Sequence, residues 1–161
     1  MNVIVAVNSD WGIGLEGRQV VVLPEDRKFF KEMTTGGVII AGRKTFEDFP
    51  NGALPNRKNI ILTRDKSFSA KGVTVLHSVE EVLAEVAKED SDKVFVAGGG
   101  AIYEQFLPYC STAYITKLEA NPKSDTYFPN LDELENWSQE REMGSGESNG
   151  VKYSVYIYKN R

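Results

Sequence analysis

The feature that most constrains this chain is a repeated alternation of short apolar runs with helix-like segments, from one end to the other, with no linker or low-complexity stretch between them. The runs Asn2–Val7 (NVIVAV), Val38–Ala41 (VIIA), Asn59–Thr63 (NIILT), Val73–Leu76 and Lys93–Ala97 (KVFVA) are short and rich in β-branched residues. Near-continuous runs of this kind suit strands covered on both faces, and strands separated by helical segments imply a layered α/β arrangement. A length of 161 residues with 41% hydrophobic content is enough for one sizeable core, so the expectation is one domain over residues 1–161.

Punctuation between the runs sharpens the helices. Leu23-Pro24-Glu25-Asp26 opens one, with Pro24 suited to the first helical position and two acids favourable at the positive end of the dipole. Gly36 and Gly37 close it, and Gly42-Arg43-Lys44-Thr45 leads into a short second helix. Ser78 with Glu81 reads as a capping box for a helix over Val79–Lys88. Gly98-Gly99-Gly100 follows a strand and precedes a helix over Ala101–Leu107 that should end at Pro108. Asp10, Gly12 and Gly14 read as a flexible loop. Ala113–Glu119, Trp137–Glu142 and Tyr153–Lys159 read as strands, the last two as antiparallel neighbours at a sheet edge.

Charge and composition exclude several classes. A net charge of −4, from 19 basic and 23 acidic residues, gives no polyanion-binding surface, so no nucleic-acid partner is expected. The single Cys110 and lone His77 can form neither an internal disulfide nor a Cys/His metal cage. No apolar stretch approaches the roughly 20 residues that span a bilayer, and Met1 runs into a strand-like segment without a basic leader. A cytoplasmic protein with no membrane partner is the expectation.

Asp26 is the most informative residue. On a helix starting near Pro24, positions 26, 29, 30 and 33 share one side, which places Asp26 with Phe29, Phe30 and Met33 and points it toward the core. A carboxylate there must find donors or titrate high, and either marks a possible site. The plainer reading is that it tends the amides of its own first turn. The Gly98–Gly100 turn could let a backbone approach a phosphate at a helix start, although tight packing of strand on helix also explains glycine, and the last glycine of G-x-G-x-x-G is missing. Arg43, Lys44, Thr45, Thr63 and Arg64 repeat the theme at the carboxyl ends of presumed parallel strands, where ligands of open α/β sheets bind. No nucleophile elbow, P-loop or H-E-x-x-H string occurs, and His77 lacks an orienting carboxylate nearby in sequence, so it is assigned neither acid nor base.

In order along the chain, Val5-Ala6-Val7, Gly12-Ile13-Gly14, Leu23-Pro24-Glu25-Asp26, Phe29-Phe30-Lys31, Gly42-Arg43-Lys44-Thr45-Phe46, Leu54-Pro55-Asn56-Arg57, Ile61-Leu62-Thr63-Arg64, Gly98-Gly99-Gly100, Tyr103-Glu104-Gln105 and Asp125-Thr126-Tyr127-Phe128-Pro129 together resemble dihydrofolate reductase. The resemblance covers nearly the whole chain. It implies a mixed, mostly parallel eight-stranded sheet flanked by about four helices, and an NADPH-dependent oxidoreductase that reduces 7,8-dihydrofolate to tetrahydrofolate. It implies that Asp26 orients the pterin and favours protonation at N5, with Thr116 supporting the carboxylate.

The resemblance further implies that Ile4, Val5, Ala6, Phe30, Phe49, Leu54, Ala97 and Tyr103 line the substrate slot. Arg57 would pair with the α-carboxylate of the glutamate tail, a bidentate task suited to guanidinium. For NADPH it implies Ala6, Ile13, Gly14, Gly42, Arg43, Lys44, Thr45, Leu62, Thr63, Arg64, His77, Ser78, Gly98, Gly99, Gly100, Ala101, Ile102, Tyr103, Gln105 and Thr126. Asp65, next to Arg64, could dilute the preference for NADPH if it faced the ribose.

The chain also departs from the family pattern. Gln19-Val20-Val21-Val22 fills a segment where many members carry Pro-Trp, with Val21 at the Trp position, and the loop Phe49-Pro50-Asn51-Gly52-Ala53 is one residue longer than is common. Two other readings stay open: a reductase of another pterin or of a ribosylaminopyrimidine on the same fold, and a nucleotide-binding module without catalysis. A monomer is expected.

Overall fold

The Asn2–Val7 run forms the first strand, β1, and lies between two parallel neighbours, paired along its whole length with one and over Asn2 and Val3 with the other, so it needs no polar face. The computed structural model describes residues 1–161. After β1 come β2 (Gly12–Leu15) and β3 (Arg18–Gln19), helix α1 (Pro24–Thr34), β4 (Val38–Gly42), α2 (Arg43–Glu47), β5 (Lys58–Leu62), β6 (Val73–Leu76) and α3 (Val79–Val86). Then follow β7 (Val94–Gly98), α4 (Gly100–Phe106), β8 (Thr112–Leu118), β9 (Thr126–Tyr127), β10 (Trp137–Ser148) and β11 (Val151–Asn160).

Eight strands form one sheet in the order β10-β11-β8-β1-β7-β4-β5-β6. From β8 to β6 every pairing is parallel, and β10 and β11 add an antiparallel edge, so the sheet is mixed and mostly parallel with four α-helices. The chain runs outward through β4, β5 and β6, returns to insert β7 beside β1, then crosses to β8 on the other side of β1. Such a reversal leaves a crevice at the carboxyl ends of the central strands.

One face of the sheet carries the main core. Val3, Val5 and Val7 of β1 join Ile40, Ile60, Val96 and Ile115 and the inward side chains Val82 of α3 and Ile102 and Phe106 of α4. Cys110 belongs to this core, donates to the Phe106 carbonyl, and has its thiol pushed up to about 12 by burial.

Most strand ends shift by one or two residues, and other elements differ from the expectations as follows. Gly12 and Gly14 are not in a flexible loop but in β2, which pairs with β3 and β9 in a separate three-stranded sheet; strands of two to four residues carry too few side chains for a period to show. Helix α3 stops at Val86 rather than Lys88. Helix α4 ends at Phe106, and Pro108 lies inside a following 3-10 turn, Leu107–Tyr109, instead of terminating the α-helix itself. Strand β10 continues past Glu142 to Ser148, because a two-residue turn at Asn149 (φ 51°) and Gly150 (φ 79°) pairs its polar end with β11.

Candidate active site

Side chains alternate across a strand, so Ile4 and Ala6 face away from the main core, as does Thr116, which pairs with Ala6 in register. Ala6 is the only residue of β1 that is not buried, and Ala97 holds the same distinction in β7. Two small residues thus open space at the carboxyl ends of adjacent strands. Helix α1 borders that space. Its only fully buried residue is Thr34, while Asp26, Phe29, Phe30 and Met33 are half-buried and Glu25, Lys28 and Glu32 exposed. The stripe of α1 therefore walls a cleft. Asp26 is correspondingly not in the packed core but half-buried on the cleft wall.

Removal from bulk water raises the Asp26 pKa above the ordinary carboxylate range, and the nearby Thr116 hydroxyl works in the opposite direction. Tyr103 shares this region. Its hydroxyl donates to the Ile4 carbonyl at 3.0 Å, and burial, reinforced by the charge of Asp26, pushes its pKa far up. The phenol is committed to the backbone and stays protonated.

Arg57 marks the other end of α1. Its Nε donates to the Pro55 carbonyl at 3.0 Å and one terminal nitrogen to the Thr34 hydroxyl at 3.1 Å, and no carboxylate neutralises it. Partial burial lowers its pKa. The loop that carries it is pinned by the buried Asn59, which bonds both the N–H and the carbonyl of Leu54 and the carbonyl of Arg57. Phe49 packs edge-on against Phe46 at 5.9 Å and remains half-buried, as does Leu54.

The glycine turn lies at the carboxyl end of β7. Gly98 has φ +118°, a conformation that side chains resist, and a Cβ on it would press on the Tyr103 ring at 3.3–3.4 Å. A Cβ on Gly99 would stand 3.2 Å from Thr45 Oγ1, and one on Gly100 only 2.6 Å from the Thr126 methyl. A Cβ on Gly42 would stand 3.1 Å from Ile102, and one on Gly14 would stand 3.2 Å from the Arg18 carbonyl and in ordinary contact with Thr126. The fold thus gathers Gly14, Gly42, Thr45, Gly98, Gly99, Gly100, Ile102 and Thr126 around one turn. Packing accounts for part of the glycine content, as the plainer sequence reading allows.

A second group forms where β4, β5 and β6 end. His77 Nδ1 lies 2.8 Å from the Thr63 carbonyl, and Arg43 and His77 are close enough to Asp65 to lower its pKa. The larger cause of that lowering is Ser67, whose hydroxyl and N–H both bond Asp65 Oδ1, so this carboxylate is turned onto its own loop. Ser78 caps α3 by accepting from Glu81 N–H at 3.1 Å. Lys44 and Arg64 are exposed and Ile13 half-buried. The side chains of Val5 and Leu62 belong to the main core and offer the cleft only backbone. Ala101 and Gln105 are exposed on α4, with Gln105 bonded back to Ala101.

Sequence reasoning singles out neither Trp11 nor Lys117. Trp11 is buried at φ +66°, and Asp125 accepts from Glu16 N–H at 2.9 Å while its own N–H donates to Gly14. No periodicity announces such contacts, because they join loops distant in sequence. The chain contains no group of three or more His, Cys, Asp or Glu placed to hold a metal ion, and no helix long and apolar enough to cross a membrane.

Known proteins share this arrangement. A family model described as dihydrofolate reductase matches residues 1–160. A dihydrofolate reductase of Staphylococcus haemolyticus is 36% identical over 161 residues, covering 99% of this chain and 95% of that protein. One from Staphylococcus aureus is 36% identical over 129 residues, 80% of this chain and 77% of that protein. Among solved structures, a dihydrofolate reductase from Enterococcus faecalis in complex with NADP(H) and RAB-propyl superposes with a TM-score of 0.88 at 35% identity, covering 99% of this chain and 95% of that one.

Proposed function

The chain belongs to the dihydrofolate reductase family, and from that premise we propose that it reduces 7,8-dihydrofolate to tetrahydrofolate with NADPH as hydride donor, using Asp26 and Arg57 as the two charged anchors of the substrate. The observation that carries the assignment of anchors is their spacing along α1. Asp26 stands in its first turn and Arg57 is bonded to Thr34 in its last, eight residues on, a rise of about 12 Å at 1.5 Å per residue. Phe29, Phe30 and Met33 lie between them on the same half-buried side. A slot with an acid, an apolar middle and an unpaired guanidinium suits a flat heterocycle with amino donors, an aromatic linker and a terminal carboxylate.

The chain's own residues fit the cofactor. Side chains at Gly98, Gly99 and Gly100 would fill the turn, and the α4 amides that follow it face the partial positive end of a helix, as a pyrophosphate requires. Arg43, Thr63, Arg64 and His77 supply a cationic and hydroxyl-bearing rim suited to a 2′-phosphate, with Asp65 engaged by Ser67. When bound, NADPH supplies the hydride. The protein's part is to align and to set electrostatics. Asp26 accepts hydrogen bonds from the pterin 2-amino group and the adjacent ring nitrogen, which fixes the ring and favours a proton at N5, delivered from solvent. Thr116 holds the carboxylate. Ala6 and Ala97, lacking bulk, let the ring lie against the strand ends. We propose that it acts as a monomer on a small-molecule substrate, and we place that action in the cytoplasm.

A spectrophotometric assay at the reduced-nicotinamide band tests the reading: NADPH should be consumed only when dihydrofolate is added. A reductase of a tail-less pterin or ribosylaminopyrimidine would have no use for Arg57, and consumption with those substrates alone would replace this assignment. Tight NADPH binding without turnover on any pterin would instead identify a binding module.

A further inference from the structure

Lys117 follows Thr116 in β8 and therefore projects from the opposite face of the sheet. There its ammonium lies 5.3 Å from the ring centroid of Trp11, 5.2 Å from that of Tyr156 and 5.4 Å from that of Tyr158, with Asp132 Oδ2 at 3.1 Å. The Tyr158 hydroxyl donates to the other oxygen of Asp132 at 2.7 Å, so the carboxylate is fixed from two sides. An exposed lysine paired with one acid contributes little. Three ring faces around one half-buried ammonium form a different arrangement, because the attraction of a cation to a ring quadrupole persists as water is excluded.

Of the three rings, Trp11 is the one whose backbone leads into β2. It sits at φ +66°, a left-handed conformation that a bulky side chain keeps only when its surroundings enforce it. Its ring stacks on Phe128 at 6.2 Å, Phe128 meets Tyr103 edge-on at 5.1 Å, and the Trp11 carbonyl accepts from Phe128 N–H at 2.9 Å. The next residue, Gly12, begins β2, whose Gly14 lies against Thr126, the residue that closes on Gly100 of the glycine turn. A displacement of Trp11 would be passed to β2 with no intervening residue to absorb it.

We propose that Lys117 is a positioning residue for cofactor binding, acting through Trp11 to set the β2 segment beside the glycine turn of the site. The proposal rests on the reading that the chain binds NADPH. It requires that the effect of Lys117 vanish when Trp11 is gone, and that another cation able to lie on rings replace it.

The test is the dissociation constant for NADPH, measured by calorimetry on the full chain, beside kcat and KM for dihydrofolate. The proteins are wild type, Lys117→Met, Lys117→Arg, Trp11→Leu and the double variant Lys117→Met/Trp11→Leu. Lys117→Met should weaken NADPH binding by about 5- to 10-fold and leave the dihydrofolate KM within about twofold. Lys117→Arg should bind within about twofold of wild type, since guanidinium also stacks on aromatic faces. The double variant should bind no worse than Trp11→Leu alone. Lower thermal stability with unchanged NADPH affinity in Lys117→Met, or additive losses in the double variant, would overturn the proposal. Should Lys117→Met fail to fold, Lys117→Gln makes the same comparison. A wild-type chain that binds no NADPH would instead remove the functional reading beneath it.

Discussion

The Arg57 guanidinium donates to the Thr34 hydroxyl at 3.1 Å, while that hydroxyl donates to the Phe30 carbonyl one turn back at 2.8 Å. This relay ties a loop cation to the last turn of α1 and leaves the remaining guanidinium N–H groups without an acidic partner. On this arrangement rests the proposal that Arg57 takes the carboxylate of a ligand.

Replacing Arg57 with Ala should raise KM for dihydrofolate by roughly 10- to 100-fold, the scale of a charge-assisted hydrogen-bonded pair, and leave NADPH affinity unchanged. Steady-state kinetics with dihydrofolate and with a dihydropterin lacking the glutamate separate the effects. Equal losses for both substrates would contradict a role at the tail.

Asp26→Asn should lower turnover near neutral pH by roughly 10²-fold or more, as for loss of a group that governs protonation. It should also stabilise the fold there. The raised pKa of Asp26 means that the folded state favours the neutral acid. Stability from that preference is complete below the unfolded carboxyl pKa and is lost as pH rises through the higher folded value. Thermal melts should therefore show Asp26→Asn above wild type at pH 7, with the gap closing in acid.

Thr116→Val keeps the side-chain shape and removes the hydroxyl that lowers the Asp26 pKa. The ionisation assigned to Asp26 in the pH profile of kcat/KM should move upward. An unmoved profile would separate Thr116 from the carboxylate.

Gly100→Ala sets two effects against each other. Alanine favours a helix by about 1 kcal/mol over glycine. The new Cβ, however, would lie 2.6 Å from the methyl of the β-branched Thr126, a clash that should cost ~1–3 kcal/mol and win. Thr126→Ser removes that methyl, so the double variant should regain most of the loss in denaturant unfolding.

Arg43→Ala and Arg64→Ala should each reduce the preference for NADPH over NADH by about tenfold, since each removes a charge from the 2′-phosphate rim. The ratio of kcat/KM for the two coenzymes reads this directly, and added salt should diminish the effect.

Several features are legible in the sequence because they depend only on residues that are neighbours along the chain. The β-branched runs, Pro24 at a helix start, the Ser78 cap and the single file of Asp26, Phe29, Phe30 and Met33 all follow from local geometry. The Asn149-Gly150 turn is equally local and extends β10, yet the polar, glycine-containing stretch that precedes it carries no apolar alternation to mark it as a strand. The three-stranded sheet of β2, β3 and β9 is not legible, since its strands are too short for a period.

The sequence alone determined which residues alternate, which helix carries an acid among aromatics, and where glycine must stand at a strand end, because these are properties of one chain segment and its covalent geometry. Tertiary structure decided that Asp26 borders a cleft instead of the core, that Thr34 receives Arg57, that Gly100 is closed off by Thr126, and that Lys117 is ringed by Trp11, Tyr156 and Tyr158. Each of these joins groups far apart along the chain, and the distance between such groups is set by how the layers pack.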